Sequence, residues 1–140
     1  MFERFANFEC SELRRRIHTG SVFSPEVLDH FEHPRNAGTL EDAQARVEVA
    51  NPVCGDVLEL AASAANGRIS AARFRAKGCV TSMACASLLT VMMSGKTRAE
   101  TAKITPEEIS AALGGLPQAT FHGAQLAADA AAELLAKLRF

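Results

Sequence analysis

The sequence lacks a strong excess of charge of either sign. Its 15 lysine and arginine residues are offset by 16 aspartate and glutamate residues, which leaves a formal net charge of -1 at pH 7. A nearly neutral chain has no global electrostatic attraction to the phosphate backbone of DNA or RNA. We therefore expect no nucleic acid among its partners.

Long hydrophobic runs are also missing. The longest apolar segment, residues 83–93, is interrupted by Ser87 and Thr90 and is too short to cross a bilayer. No cleavable signal-like region opens the chain. The sequence therefore predicts a cytoplasmic protein without a membrane partner.

Cysteine is scarce, with four residues among 140 (Cys10, Cys54, Cys79 and Cys85). A chain of this length can bury the core of a single domain without disulfide bridges. In a reducing compartment the cysteines are expected to be free thiols, metal ligands or buried apolar groups.

The pattern of apolar residues predicts an α+β fold, in which a three-stranded antiparallel sheet packs against helices on one face. Strands are predicted at 46–50, 56–63 and 68–76, and Asn66-Gly67 is well suited to a tight hairpin between the last two. Helices are predicted to begin at Ser24-Pro25, Val80, Thr105-Pro106 and His122. Residues 1–22 read as a flexible or short helical leader, and residues 23–140 as the folded domain.

Cys54-Gly55-Asp56 places a soft thiolate and a hard carboxylate two residues apart, with a flexible glycine between them. Both side chains can turn toward one point if the backbone bends at Gly55. A cysteine in such a turn is less easily explained as a small core residue than an isolated one. The segment is therefore a candidate for metal ligation.

A second thiol, Cys79, is expected at the same end of the sheet, because the predicted hairpin returns the chain to where its first strand began. It should also lie at the start of a helix, where unpaired N–H groups stabilise an anion. Cys85 projects about 120° away from Cys79 on that helix and is predicted to be buried. His122 can offer an imidazole to a metal, although a lone histidine carries no functional prediction by itself.

Several ordered motifs, distributed between Phe23 and Leu138, resemble those of the IscU/NifU-type family of iron-sulfur cluster assembly scaffolds. They are VLDHFEHPRNAG at 27–38, NPVCGD at 51–56, KGC at 77–79 and SGKT at 94–97. The resemblance implies a compact α+β fold of the SufE/NifU-like kind with an exposed ligand site at one end. By position, Cys54 and Cys79 match the first two ligand cysteines of the family and Asp56 its aspartate. His122 matches the histidine that precedes the third cysteine.

The resemblance also implies partners and cargo. Family members receive sulfur from a cysteine desulfurase, draw on iron or electron donor proteins, build a transient [2Fe-2S] cluster and pass it to apo-protein recipients. The same site can hold Zn2+. These properties imply a scaffold or carrier rather than an enzyme, present as a monomer or a weak homo-oligomer.

The sequence departs from the family pattern at two places. Gly123 stands where the third cysteine is expected, and residues 116–120 (LPQAT) retain only the beginning of the motif that a specialised cluster-transfer chaperone recognises. The first departure predicts a more labile cluster, since His and Asp are weaker cluster ligands than Cys. The second argues against the chaperone as a partner.

Three functions remain open at this point. The first is the cluster scaffold, with Cys54, Asp56, Cys79 and His122 as ligands. The second is a zinc-dependent sulfurtransferase that accepts persulfide from a cysteine desulfurase. The third is a divergent metal-binding or interaction module that no longer assembles clusters. Cys10, Cys85 or a second subunit could also replace the missing thiolate.

Overall fold

The computed structural model describes residues 23–52 and 55–140. Its elements in chain order are α1 (Pro25–Glu32), β1 (Ala45–Ala50), β2 (Val57–Ala65), β3 (Arg68–Lys77), α2 (Val80–Met93), α3 (Arg98–Ala102), α4 (Pro106–Ala112), a 3-10 turn (Gln118–Thr120) and α5 (His122–Lys137). The predicted α+β class is confirmed. The predicted leader, with Cys10, lies outside the described residues, so its role stays a prediction.

The strands form one antiparallel sheet in the order β1-β2-β3, as the sequence predicts. Val47 pairs with Leu60, which pairs in turn with Phe74, and all three side chains are buried on the same face. The turn between β2 and β3 has positive φ angles at Asn66 (56°) and Gly67 (78°), the conformation that a tight two-residue hairpin requires. One face of the sheet is therefore apolar and must be covered.

Helices α2 and α5 cover that apolar face, and α1 packs on the outer side of α2. Helix α2 is buried nearly all round, which agrees with its almost continuous apolar sequence. Cys85 lies at its centre with no solvent exposure, and burial raises the pKa of its thiol to about 12. The predicted burial of Cys85 is confirmed. Its thiol is held in the inert, protonated form.

The turn after α1 docks that helix onto α2 and onto the free edge of β3. The hydroxyl of Ser87 lies 2.8 Å from Nδ1 of His30 and accepts a hydrogen bond of 2.8 Å from the backbone N–H of Arg35. Asn36 has a φ of 60°, and its carbonyl accepts a hydrogen bond from the N–H of Phe74. The motif at residues 27–38 therefore holds α1 against α2 and β3 through these hydrogen bonds.

Helix α3 has no counterpart among the predicted elements. It is five residues long, too short to carry an apolar repeat, and it begins with a capping box in which Thr97 and Glu100 satisfy each other's backbone N–H groups. The strand predicted to begin at Asp56 begins instead at Val57, so Asp56 lies in the loop before β2. Within the described part of the chain, no helix is both long enough and apolar enough to span a membrane.

Candidate metal centre

Three separate elements bring potential ligands to one end of the sheet. Asp56 comes directly before β2, Cys79 directly follows β3, and His122 is the first residue of α5. The first two are neighbours because Val57 pairs with Lys77, so the start of β2 and the end of β3 lie side by side. The packing of α5 across the sheet adds His122.

One carboxylate oxygen, Oδ2 of Asp56, is the common neighbour of the other two donors. It lies 3.4 Å from Nε2 of His122 and 3.8 Å from Sγ of Cys79. One ligand atom from each of the three residues lies within 4.8 Å of the other two. Donors bound to a tetrahedral Zn2+ at ordinary bond lengths lie about 3.3 to 3.6 Å apart. The three donors therefore fit a single metal ion with little movement.

The three side chains of the centre differ in their exposure to solvent. The side chain of Asp56 is 7% exposed and that of His122 is 32% exposed, while Cys79 is half-buried. A buried carboxylate is costly unless it is paired or hydrogen-bonded, and Asp56 has such partners. The carboxylate of Asp56 therefore forms the buried end of the site, and the imidazole of His122 lies at its solvent-exposed end, where an incoming ion can enter.

Gly78 confines the carboxylate of Asp56 from one side. A Cβ atom at residue 78 would lie 2.5 Å from Oδ1 of Asp56 and 2.7 Å from its Cγ. These distances are far below van der Waals contact, so only glycine leaves room for the carboxylate in this position. The sequence pattern Lys-Gly-Cys thus has a steric cause in the position of Asp56.

Cys79 is the N-cap of α2, as the sequence predicts. Its φ and ψ are those of extended backbone, and its Sγ accepts a hydrogen bond of 3.4 Å from the backbone N–H of Ser82. The sulfur therefore lies at the N-terminus of the helix and receives one of the N–H groups that have no partner within the helix.

Cys54 lies outside the described residues, so its position relative to the other donors stays a prediction. The chain on either side of it forms a closed loop. The N–H of Asn51 donates to the carbonyl of Asp56, and the N–H of Gly55 donates to the carbonyl of Asn51, each at 2.8 Å. Gly55 has a φ of 77°, which agrees with the predicted bend.

Gly123 is buried where α5 begins, against the first turn of α2. A Cβ atom there would lie 3.1 Å from Cα, 3.2 Å from N and 3.3 Å from Oγ of Ser82. A cysteine at this position would therefore require the two helices to separate by a few tenths of an ångström. Because α5 and α2 approach so closely here, glycine fits at position 123 without moving either helix.

Sequence reasoning missed Ser82 and assigned no role to Gly78. Ser82 stands in an apolar helix, where a serine is easily taken for a small core residue. Its spacing from Cys79 could have identified the contact in advance, because the residue three positions after an N-cap directs its N–H toward the capping side chain. Cys85 is not part of the group of donors, in agreement with its predicted burial.

The fold and the grouped donors define an α+β domain with a candidate metal site at one end of a three-stranded sheet. Residues 22–139 match the family model of the NifU-like N terminal domain. The chain therefore belongs to this IscU/NifU-type family, which confirms the resemblance drawn from its motifs.

Relatives with established names cover most of the chain. It is similar to an iron-sulfur cluster assembly scaffold protein IscU of Archaeoglobus fulgidus, with 43% identity over 109 residues, 78% of this chain and 71% of the relative. The IscU scaffold protein of Haemophilus influenzae is 37% identical over 113 residues, 78% of this chain and 89% of the relative.

Solved structures agree on the fold. The N-terminal part of a NifU-like protein from Brucella abortus superposes with a TM-score of 0.64 at 17% identity, over 81% of this chain and 91% of that one. At this level of identity the likeness supports the architecture alone.

Proposed function

We propose that this protein is an iron-sulfur cluster assembly scaffold or carrier rather than an enzyme. It binds a cluster transiently through Cys54, Asp56, Cys79 and His122 and releases it to apo-protein recipients. The observation that carries the proposal is the convergence of Asp56, Cys79 and His122 in a chain 43% identical to a named scaffold protein. The cluster is cargo, so a site that opens to solvent beside His122 suits its delivery.

The proposed cargo is a [2Fe-2S] cluster. Cysteine thiolates are the usual ligands of such clusters, and histidine replaces cysteine in some of them. A site with fewer sulfur ligands should hold its cluster less tightly, which suits a carrier that must release it. A cysteine desulfurase as sulfur source and iron or electron donor proteins complete the proposal. A cytoplasmic setting stays a prediction from the sequence.

Zn2+ is the alternative occupant. Aspartate oxygen, histidine nitrogen and cysteine sulfur are each zinc ligands, and one such atom from each of the three residues lies within 4.8 Å of the other two. With zinc resident, Cys54 or Cys79 would accept persulfide, and the protein would act as a sulfurtransferase. The divergent binding module differs from both, because it would hold metal without accepting sulfur or a cluster.

Anaerobic reconstitution with ferric iron and sulfide tests the scaffold function. We expect the wild-type protein to develop the visible absorption of an iron-sulfur cluster, and Cys79→Ser and Cys54→Ser to lose most of it. Cys85→Ala is the matched control, because this buried thiol lies outside the group of donors, and it should keep the absorption. If neither ligand variant lowered the absorption, the assignment of the site would be wrong.

Metal analysis separates the occupants. Stoichiometric zinc in freshly purified protein, with no cluster after reconstitution, would contradict the scaffold function. Mass-detected persulfide on Cys54 or Cys79 after incubation with a cysteine desulfurase and cysteine would then support the sulfurtransferase. Its absence would support the divergent binding module.

A further inference from the structure

Ser82, on the first turn of α2, contacts two of the grouped donors through two different groups. Its hydroxyl donates a hydrogen bond of 2.5 Å to Oδ2 of Asp56, and its backbone N–H donates to Sγ of Cys79 at 3.4 Å. The residue is 5% exposed, so water competes little for these contacts. Ser82 therefore links a carboxylate from the β1-β2 loop to a sulfur at the start of a helix.

The two contacts do not compete with each other. A serine hydroxyl has one proton to donate, and here it is given to the carboxylate, while the sulfur receives the main-chain N–H and lies 3.4 Å from the oxygen of the same hydroxyl. A metal-bound thiolate has no S–H of its own, so the N–H of Ser82 remains its donor. Both hydrogen bonds can persist when the two ligands bind a metal.

Gly78 and the hydroxyl of Ser82 lie next to different oxygens of the Asp56 carboxylate. Oδ1 lies over Gly78, where a Cβ atom would come within 2.5 Å of it, and Oδ2 accepts the hydrogen bond from Ser82. A charge-assisted hydrogen bond to a buried carboxylate is both short and orienting. The carboxylate is thereby turned so that Oδ2 faces Cys79 and His122.

Gly123 provides the space that Ser82 occupies. A Cβ atom at 123 would lie 3.3 Å from Oγ of Ser82 and closer still to its backbone. Because residue 123 has no side chain, the Ser82 side chain fits at the contact between α2 and α5. Gly123, which occupies the position expected for the third cysteine, is therefore adjacent to Ser82, which donates to the carboxylate.

We propose that Ser82 is a positioning residue of the metal centre: it holds Asp56 in the orientation of a ligand, in space that Gly123 leaves free. The inference rests on the proposed function only in that Asp56 and Cys79 bind the metal. Hydrogen-bonded partners of metal ligands orient them, and removing one commonly lowers metal affinity 10- to 100-fold, on the order found for such outer contacts.

Anaerobic titration with Co2+ tests this role, because its absorption reports both sulfur ligation and coordination geometry. We expect Ser82→Ala to retain the thiolate-to-cobalt band, since Cys79 and the backbone N–H remain, but to bind Co2+ about tenfold more weakly and with shifted d-d bands. Ser87→Ala is the matched control, as it removes another buried hydroxyl from α2. It should lower the free energy of unfolding and leave Co2+ affinity unchanged.

A double-mutant cycle with Asp56→Ala makes the test specific. Without the carboxylate, Ser82→Ala should cause no further loss of Co2+ affinity, because the hydroxyl acts through Asp56. If Ser82→Ala bound Co2+ as tightly as the wild-type protein, the role of Ser82 would be overturned while the metal site would stand. The same conclusion would follow if the losses of Co2+ affinity caused by the two substitutions were additive. No Co2+ binding by the wild-type protein would overturn the proposed metal site, and this inference with it.

Discussion

At the scale of single residues, the centre depends on side chains that are absent as much as on those present. Gly78 leaves room for the carboxylate of Asp56, and Gly123 leaves room for Ser82. In both cases the added Cβ atom would meet a group that belongs to the centre or to its support. A cysteine introduced at position 123 would therefore bring a thiol to the start of α5 and shift Ser82 by a few tenths of an ångström.

The tight contact at Gly78 leads to a prediction. We expect Gly78→Ala to weaken Zn2+ or Co2+ binding by about 10- to 100-fold, because the new methyl group pushes the carboxylate of Asp56 out of its ligand position. Isothermal titration under anaerobic conditions measures the change. In an Asp56→Ala background the same substitution should have almost no effect on metal affinity. An equal loss in both backgrounds would show that the methyl group acts elsewhere.

At the scale of elements, the docking of α1 onto α2 depends on a histidine in a partly buried position. The pKa of His30 lies below its ordinary value of 6.5, chiefly because burial disfavours the charged imidazolium, with the nearby positive charge of Arg35 as a smaller cause. The unfolded chain therefore binds a proton more readily than the folded chain near and below that pH. Stability from this group is fully present above pH 6.5 and decreases as the pH falls.

The corresponding prediction concerns the pH dependence of stability. We expect the free energy of unfolding of the wild-type protein to decline from about pH 7 to pH 5, and His30→Gln to show a smaller decline over that range. Urea denaturation at each pH gives the free energies. His33→Gln, which removes an exposed imidazole just beyond the same helix, should decline as the wild type does. If the free energy of unfolding of His30→Gln fell with pH as steeply as that of the wild type, His30 would be excluded as the titrating group.

At the scale of the whole molecule, the centre joins parts of the chain that are far apart in sequence. The loop before β2, the start of α2 and the start of α5 each contribute a donor, and Asp56 and Cys79 are 23 positions apart along the chain. Unfolding separates these donors. A metal bound to all three must therefore stabilise the native state by mass action.

This coupling predicts a metal-dependent melting temperature. We expect Zn2+ at a free concentration 100 times its dissociation constant to stabilise the protein by about 2.7 kcal/mol, which raises Tm by several degrees for a chain of this size. Differential scanning calorimetry with and without a chelator measures the shift. Cys79→Ser should lose most of the shift, and Cys85→Ala should retain it. A full shift in Cys79→Ser would mean that the stabilising metal binds at another place.

Local patterns in the sequence were enough to predict most of the fold. The hairpin at Asn66-Gly67, the N-cap at Ser24 and helix α2 (Val80–Met93) each depend on residues close together in the chain, and each is present. Helix α3 was missed because a five-residue helix carries no periodic signal and depends on a capping box. Hairpin connectivity also predicted that Cys79 lies at the same end of the sheet as the segment 54–56, and Asp56 of that segment lies 3.8 Å from its sulfur.

The sequence by itself determined the fold class, the family and the identity of the candidate donors, because alternation, turn residues and motifs are local properties. Only the tertiary structure decided how the donors are held. The contacts of Ser82 with Asp56, of Gly123 with Ser82 and of Asp56 with Gly78 join residues 22 to 41 positions apart, and no local pattern specifies them. They arise from the packing of α2 and α5 against one end of the sheet, where atoms a few ångströms apart decide which side chains fit.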